Sequence, residues 1–280
     1  MNIKITSDST CDLSLELLEK YNISLIPLYI SKDGVAYKDG IEIIPQDIFL
    51  HVDNGGDLCT TSAISVYDYI ECFSRYTKEY DAVIHITIGA EFSSCYQNAC
   101  TASQSFKNVY IVDSGNLSSG QGHIVLNAAK MAKQQLYPID IVKSLQELVS
   151  RVEASFLIER LDYMRKGGRC SPVAALGSNL LGIKPCIEVK NGKMVVAKKY
   201  RGSFERCICQ YVKDRLEDRN DLCTDLIFIT HPDAPVSAIE TAKNEIKKYA
   251  NFDEIIETKA SCTISCHCGP HTLGILFVHQ

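Results

Sequence analysis

Residues 82–135, "AVIHITIGAEFSSCYQNACTASQSFKNVYIVDSGNLSSGQGHIVLNAAKMAKQQ", decide the fold. Two short apolar runs, "AVIHITIG" and "VYIVDS", each lead through a polar turn into a segment with helical spacing. Strands alternating with helices imply parallel βαβ units, because the crossover helix must return the chain to the same end of the sheet. The pattern extends upstream through "IKITSD", a helix around "LSLELLEKY", a strand "ISLIPLYI" and a helix over "SVYDYIECFSRYTKEY". The first half is therefore expected to be an α/β domain on a parallel sheet. Ligands of such sheets bind beyond the carboxyl ends of the strands, where loops enter helix N-termini. The turns "TSDSTCD", "GAEFSS" and "DSGNLSSG" are expected there.

The second half has another texture. A helix over 138–154 leads into "KPCIEVKNGKMVVAKKYRG", a hairpin with Asn191-Gly192 at its turn. A helix from Ser203, the strand "DLIFITHP", a helix over "APVSAIETAKNEIKKYA" and the strand "EIIETKAS" follow. This predicts a mixed or antiparallel sheet carrying helices. The expected division falls near residue 155, with an N-terminal α/β domain over 1–155 and a C-terminal α/β domain over 156–280.

With 280 residues and 46% hydrophobic content, the chain can bury two medium cores. No apolar run approaches the roughly twenty residues of a membrane-spanning helix. "MNIKITSDST" enters strand-like alternation without the marks of a signal peptide, so a cytoplasmic location is expected. A net charge of −5 argues against a phosphate-backbone partner, so no nucleic acid is expected. The thirteen cysteines lie scattered through the chain and read as reduced thiols used for packing.

Several stretches carry candidate chemistry. In "ASCTISCHCGPHTLGILF" (260–277), the spacing of Cys262, Cys266 and Cys268 lacks the second ligand pair of a zinc site, and no local acid would orient a nucleophilic thiol. The reading left is a loop, "HCGPH", that fixes His267 or His271 at the mouth of a strand. In "IGAEFSSCYQNA", Ser94 with Gln97 matches a capping box, and Ser93 just before it shares the partial positive charge of a helix N-terminus, which favours an anion. Thr60, Thr61 and Ser62 read first as helix caps. In "YMRKGGRCSPVAALGSNLLGIKP", a cationic loop precedes a run from Cys170 to Ile183 with no charged residue, which reads as a buried helix or as an apolar wall with a cationic mouth. Arg169 and Arg201 suit a carboxylate or phosphate, which a guanidinium meets bidentately.

Taken together, "TSDSTCDLS", "TSAIS", "GAEFSSCYQNA", "VDSGNLSSGQG", "YMRKGGRCS", "LLGIKP", "KKYRG" and "HCGPHTLGILF" resemble, in this order, the DegV family of bacterial fatty acid-binding proteins. The resemblance implies two α/β domains with a long-chain fatty acid between them, its tail in an apolar tunnel. It implies a carboxylate held by Thr61, Ser62, Ser93, Ser94 and His267, and no other cofactor or metal. It also implies a non-catalytic lipid-binding subunit whose carboxylate a separate kinase phosphorylates, with Arg169 and Arg201 at the partner or phosphate. The chain departs from the family at Glu91 and Ser94, where glycine is usual, at Ile64 in place of proline, and at His271 in place of glycine. Glu91 adds a negative charge beside the anion site, which weakens binding unless it points outward. The alternative is a small-molecule or phosphotransfer enzyme on the same fold that uses His267 as base or nucleophile. A metal-sensing or redox module built on Cys262, Cys266 and Cys268 is a further rival.

Overall fold

The computed structural model describes residues 1–171 and 182–280. In chain order the first half runs β1 (Ile3–Asp8), α1 (Leu15–Lys20), β2 (Ile23–Ile26), β3 (Tyr29–Lys32), β4 (Val35–Lys38), α2 (Pro45–Asp53), β5 (Thr60–Ser62) and α3 (Val66–Tyr76). It continues through β6 (Ala82–Thr87), α4 (Cys95–Ser103), β7 (Val109–Asp113), α5 (Ser118–Lys133) and α6 (Pro138–Val149). The second half comprises β8 (Val152–Leu157), α7 (Leu161–Gly167), β9 (Ile183–Lys190), β10 (Lys193–Arg201) and α8 (Phe204–Leu216). It ends with β11 (Leu222–His231), α9 (Val236–Tyr249), β12 (Glu254–Lys259), α10 (Cys262–Cys268) and β13 (Leu273–His279).

The first sheet has four strands in the order β2-β1-β6-β7, all parallel, as the alternation of strands and helices requires. The second has six, ordered β10-β9-β8-β13-β11-β12, antiparallel except for the β11–β12 pair. The protein is thus mixed α/β, with a parallel N-terminal sheet and a mixed C-terminal one. Asn191 and Gly192 both have positive φ (50° and 75°), the pairing a tight hairpin turn demands.

Three expectations are corrected. "ISLIPLYI" is two strands: Pro27 offers no N–H to a ladder, and beyond it the chain leaves the parallel sheet for a small antiparallel one, β4-β3-β5. The helix expected over 138–154 stops at Val149, and 152–157 is strand β8. Thr60–Ser62 is strand β5, and the cap of α3 is Ser65, whose Oγ accepts from Asp68 N at 3.1 Å.

Helix α5 joins the two sheets. Its residues from Ser118 to Leu126 are buried, so its polar groups need partners. Gln121 Nε2 donates to Ser7 Oγ at 2.9 Å, and His123 Nε2 pairs with Leu276 O at 3.0 Å, one bond to each sheet. Burial drops the His123 pKa to about 4, so this link is made by a neutral ring.

Below the carboxyl end of the parallel sheet lies a buried polar cluster. Asp8 Oδ1 accepts from Tyr69 OH at 2.7 Å and pairs with His85 Nε2 at 3.1 Å, while Oδ2 accepts from Ile88 N at 2.8 Å. This ties α3 and the β6–α4 loop to β1. A hydrogen bond to a carboxyl contributes about 1.5–3 kcal/mol, so Tyr69→Phe is expected to lower unfolding stability by that amount in a urea titration.

Candidate functional site

Seven segments close on one small cavity: the β2–β3 link, β5, the turn into α4, the end of α5's leading loop, the loop after α7, β10 and α10. The cavity measures about 100 Å³. Thr61, Ser62, Ser93, Ser94, Arg169, Thr263 and His267 supply its polar lining, and Leu28, Ile88, Phe92, Leu117, Met194 and Ile264 much of the rest. No acidic residue lines it among the described residues.

The expected loop "HCGPH" is corrected: its first residues belong to helix α10, and His267 stands in the last turn. Seven residues rich in Cys, Thr, Ser and Ile are poor helix formers, and an isolated helix this short is unstable. Ser261 caps the helix locally, its Oγ accepting from Ile264 N at 3.5 Å, and long-range acceptors add to it. Buried Asp39 accepts from Cys262 N (2.8 Å), Thr263 N (3.1 Å), Thr263 Oγ1 (2.6 Å) and Ser9 Oγ (3.0 Å). Asp12 Oδ1 accepts from Ser261 N at 2.9 Å and its Oδ2 from Ser118 Oγ at 2.6 Å. Burial raises the Asp12 pKa to about 7 despite these donors.

His267 Nε2 lies 2.9 Å from Thr61 Oγ1, which joins α10 to β5. Its Nδ1 is enclosed with no hydrogen-bond partner among the described residues. A Cβ at Gly167, the last residue of α7, would stand 2.3 Å from that nitrogen, so glycine there lets the end of α7 close on the ring. Loss of hydration, then the nearby Arg169 charge, pulls the His267 pKa down to about 4. The ring is neutral at physiological pH. A proton on Nδ1 would have no acceptor, so the tautomer with the proton on Nε2 is favoured. Nε2–H then donates to Thr61, whose hydroxyl proton is left to meet a ligand.

At the start of α4 the expected capping box does not form. Ser94 sits at φ −75°, ψ 4°, and its side chain makes no capping bond. Cys95 N donates instead to Ser93 Oγ at 3.3 Å. The Ser94 hydroxyl is thereby left on the cavity side, beside a helix N-terminus with its partial positive charge.

Arg169 lines the cavity and is held by Nη1 donating to Gly167 O at 2.9 Å. Arg201 is exposed at the end of β10, opposite Ile183, and is not among the cavity-lining residues. Most of the run from Cys170 to Ile183, the expected apolar wall, lies outside the described residues.

The family departures have local accounts. Glu91 is exposed, points away from the cavity and pairs with Lys193 Nζ at 3.7 Å. Ser94 has ordinary dihedrals that need no glycine. His271 adopts the left-handed φ of 56° and its Nδ1 meets Glu159 at 2.9 Å, a contact that offsets the strain. Ile64 is fully buried in the core, and its carbonyl accepts from Asn98 Nδ2 at 2.8 Å.

Sequence reasoning missed Asp39, Asp12, Thr263 and Met194. Met194 follows the Asn191-Gly192 turn and reaches the cavity from the second sheet. The capping aspartates carried only a turn-like signal, since their partners are more than 200 residues away.

Fold and site together define a mixed α/β protein with an apolar cavity headed by hydroxyl, imidazole and guanidinium groups. A model of the DegV family matches residues 2–280, and the chain belongs to that family. A "Fatty acid-binding protein" of Thermotoga maritima is 31% identical over 98% of this chain and 96% of its own length. A DegV family protein from Thermus thermophilus, whose structure is described as showing fatty acid binding, superposes with a TM-score of 0.91 at 26% identity over the whole of both chains. A stearic acid-binding protein from Eubacterium ventriosum superposes at 0.87 with 25% identity, over 99% of this chain and 98% of its own.

Proposed function

We propose that this protein binds one long-chain fatty acid between an N-terminal unit (1–155) and a C-terminal unit (156–280). The single observation that carries this is the cavity lining: donors at one end, apolar side chains beyond them, and no acid among the described residues. The carboxylate accepts from Thr61, Ser62, Ser93 and Ser94 at the α4 N-terminus, with His267 orienting Thr61 and Arg169 supplying charge. A carboxylate needs such neutral donors and one cation. The tail runs along Phe92, Leu117 and Ile264. Ligand sites commonly span about 300–1,000 Å³, so uptake of the tail widens the cavity, with Met194 among the side chains that move. Each buried methylene contributes about 0.8 kcal/mol, so a sixteen-carbon tail gains roughly 12 kcal/mol before the costs of association.

The chain acts as a non-catalytic carrier in the cytoplasm. It presents the carboxylate to a kinase subunit that forms the acyl phosphate, with Arg169 and Arg201 facing that partner or the phosphate. A base or nucleophile would need the second ring nitrogen oriented by an acid, and His267 Nδ1 has no such partner among the described residues.

Native mass spectrometry of protein from a heterologous host is expected to show one fatty acid per chain, released on denaturation. Empty protein that also takes up no added oleate would overturn the proposal.

A further inference from the structure

Beside the first helix the surface opens into a groove of about 580 Å³, and none of its residues lines the His267 cavity. Leu15 and Glu19 of α1, Ile23 and Leu25 of β2, Pro27 and Ile41 shape it. Leu15 is 77% exposed and Ile41 70%. Large apolar side chains left this open beside an apolar groove mark a contact surface.

The charge of the groove is one-sided. Its lining holds Glu19 and buried Asp39, and no Lys, Arg or His among the described residues. The Asp39 oxygens are taken by α10 and Ser9. Glu19, like its neighbour Glu16, is exposed and has no ion-pair partner among the described residues. β2 is also the outermost strand of the parallel sheet, and its second edge pairs with no strand among the described residues. Ile23 and Leu25 alternate along β2, so both stand on the face that lines the groove.

We propose that this groove and strand edge receive an extended segment of a partner protein, apolar at alternate positions and carrying Lys or Arg. The segment adds to β2 as a further strand, its backbone meeting the free N–H and C=O groups of the edge. A helix satisfies its own backbone and would leave that edge unmet. Alternate side chains of the added strand fall on the face of Ile23 and Leu25 and cover Leu15 and Ile41, while its cations meet Glu19 and Glu16. The same acids repel an anionic partner or an anionic membrane surface. The contact does not depend on the fatty acid reading.

The test is fluorescence anisotropy of the full chain with a labelled synthetic peptide that alternates valine and lysine, set beside the same peptide with glutamate for lysine. The lysine peptide is expected to bind, more weakly as salt rises, and the glutamate peptide to bind at least about tenfold less well. Leu15→Ser and Ile41→Ser change exposed side chains, so the fold is expected to stand by circular dichroism, and each is expected to weaken the lysine peptide about tenfold. Glu19→Lys is expected to weaken it by as much. Glu147→Lys, on α6 against the opposite edge strand β7, is expected to leave it unchanged. An equal loss with Glu147→Lys would overturn the site, since net charge alone would then hold the peptide. A lysine peptide methylated along its backbone nitrogens that binds as the plain one does would overturn strand addition. Binding of dodecylamine with none of the peptide would give the groove to a small lipophilic amine, and a mass of two chains in light scattering, lost in Ile41→Ser, would give it to a second copy. Either result would overturn the proposal.

Discussion

Asp39→Ala is expected to lower the unfolding free energy by about 3–5 kcal/mol and to abolish fatty acid uptake. The substitution leaves Cys262 N, Thr263 N, Thr263 Oγ1 and Ser9 Oγ without an acceptor in a buried setting. Each orphaned donor costs about 1–3 kcal/mol, and a larger sum is avoided because the surface groove beside Asp39 admits water to part of the site. A typical domain has a margin of about 5–15 kcal/mol, so this loss is a large fraction of it. The effect on binding follows from position, since α10 carries Thr263, Ile264 and His267 into the cavity and depends on this remote cap. Asp39→Asn keeps one acceptor oxygen and is expected to cost about half as much. Urea unfolding of the two variants beside the wild type makes the comparison. An alanine variant as stable as the wild type would show that α10 stands without the carboxylate.

The same helix shows where sequence reading reached its limit. The parallel sheet was legible because its evidence is local: apolar runs near 82–88 and 109–113, each followed by helical spacing. The hairpin was legible for the same reason, two residues whose backbone preferences select one turn. Helix α10 was not, because three cysteines, a threonine and a serine argue against helix by propensity, and the Ser261 cap is reinforced by a carboxylate from residue 39 that takes the first N–H groups. Pro27 was visible, but that it sends the chain from one sheet to another depends on which strand edges remain free, a property of the assembled fold. Thr61, Ser93, Ser94, Arg169 and His267 do line one cavity, yet their convergence was implied by resemblance and not by spacing. Arg201, matched in the same way, lies outside that lining.

His267→Ala is expected to weaken fatty acid binding by roughly 10- to 150-fold, the equivalent of a hydrogen-bond network on a charged group worth about 1.5–3 kcal/mol. The corresponding fatty alcohol, which brings no charge, is expected to lose far less. The pH profile separates the role of the ring from a packing role. In the free protein the ring has a pKa of about 4, below its unfolded value near 6.5, so it enters the site neutral. A bound carboxylate favours the imidazolium and raises that pKa. Between the free and bound values the complex holds more protons than the free protein, so affinity must rise as pH falls toward the bound pKa and below it. Oleate affinity of the wild type is therefore expected to increase from pH 8 to about 5.5, by no more than tenfold per pH unit, while His267→Ala stays flat. Folding has the opposite sign. With a depressed pKa, the ring's contribution to stability is complete above about 6.5 and is lost as pH falls toward 4, because the unfolded chain takes up the proton first. Asp12, with its pKa raised to about 7, works the other way, gaining stability as pH falls from 7 toward its unfolded value near 3.8. Below neutral pH stability thus carries opposed His267 and Asp12 contributions, whereas affinity carries the rise from His267. A flat wild-type affinity profile would show that His267 stays the neutral donor to Thr61 in the complex as in the free protein, with the charge on the carboxylate met by Arg169 and the α4 N-terminus alone.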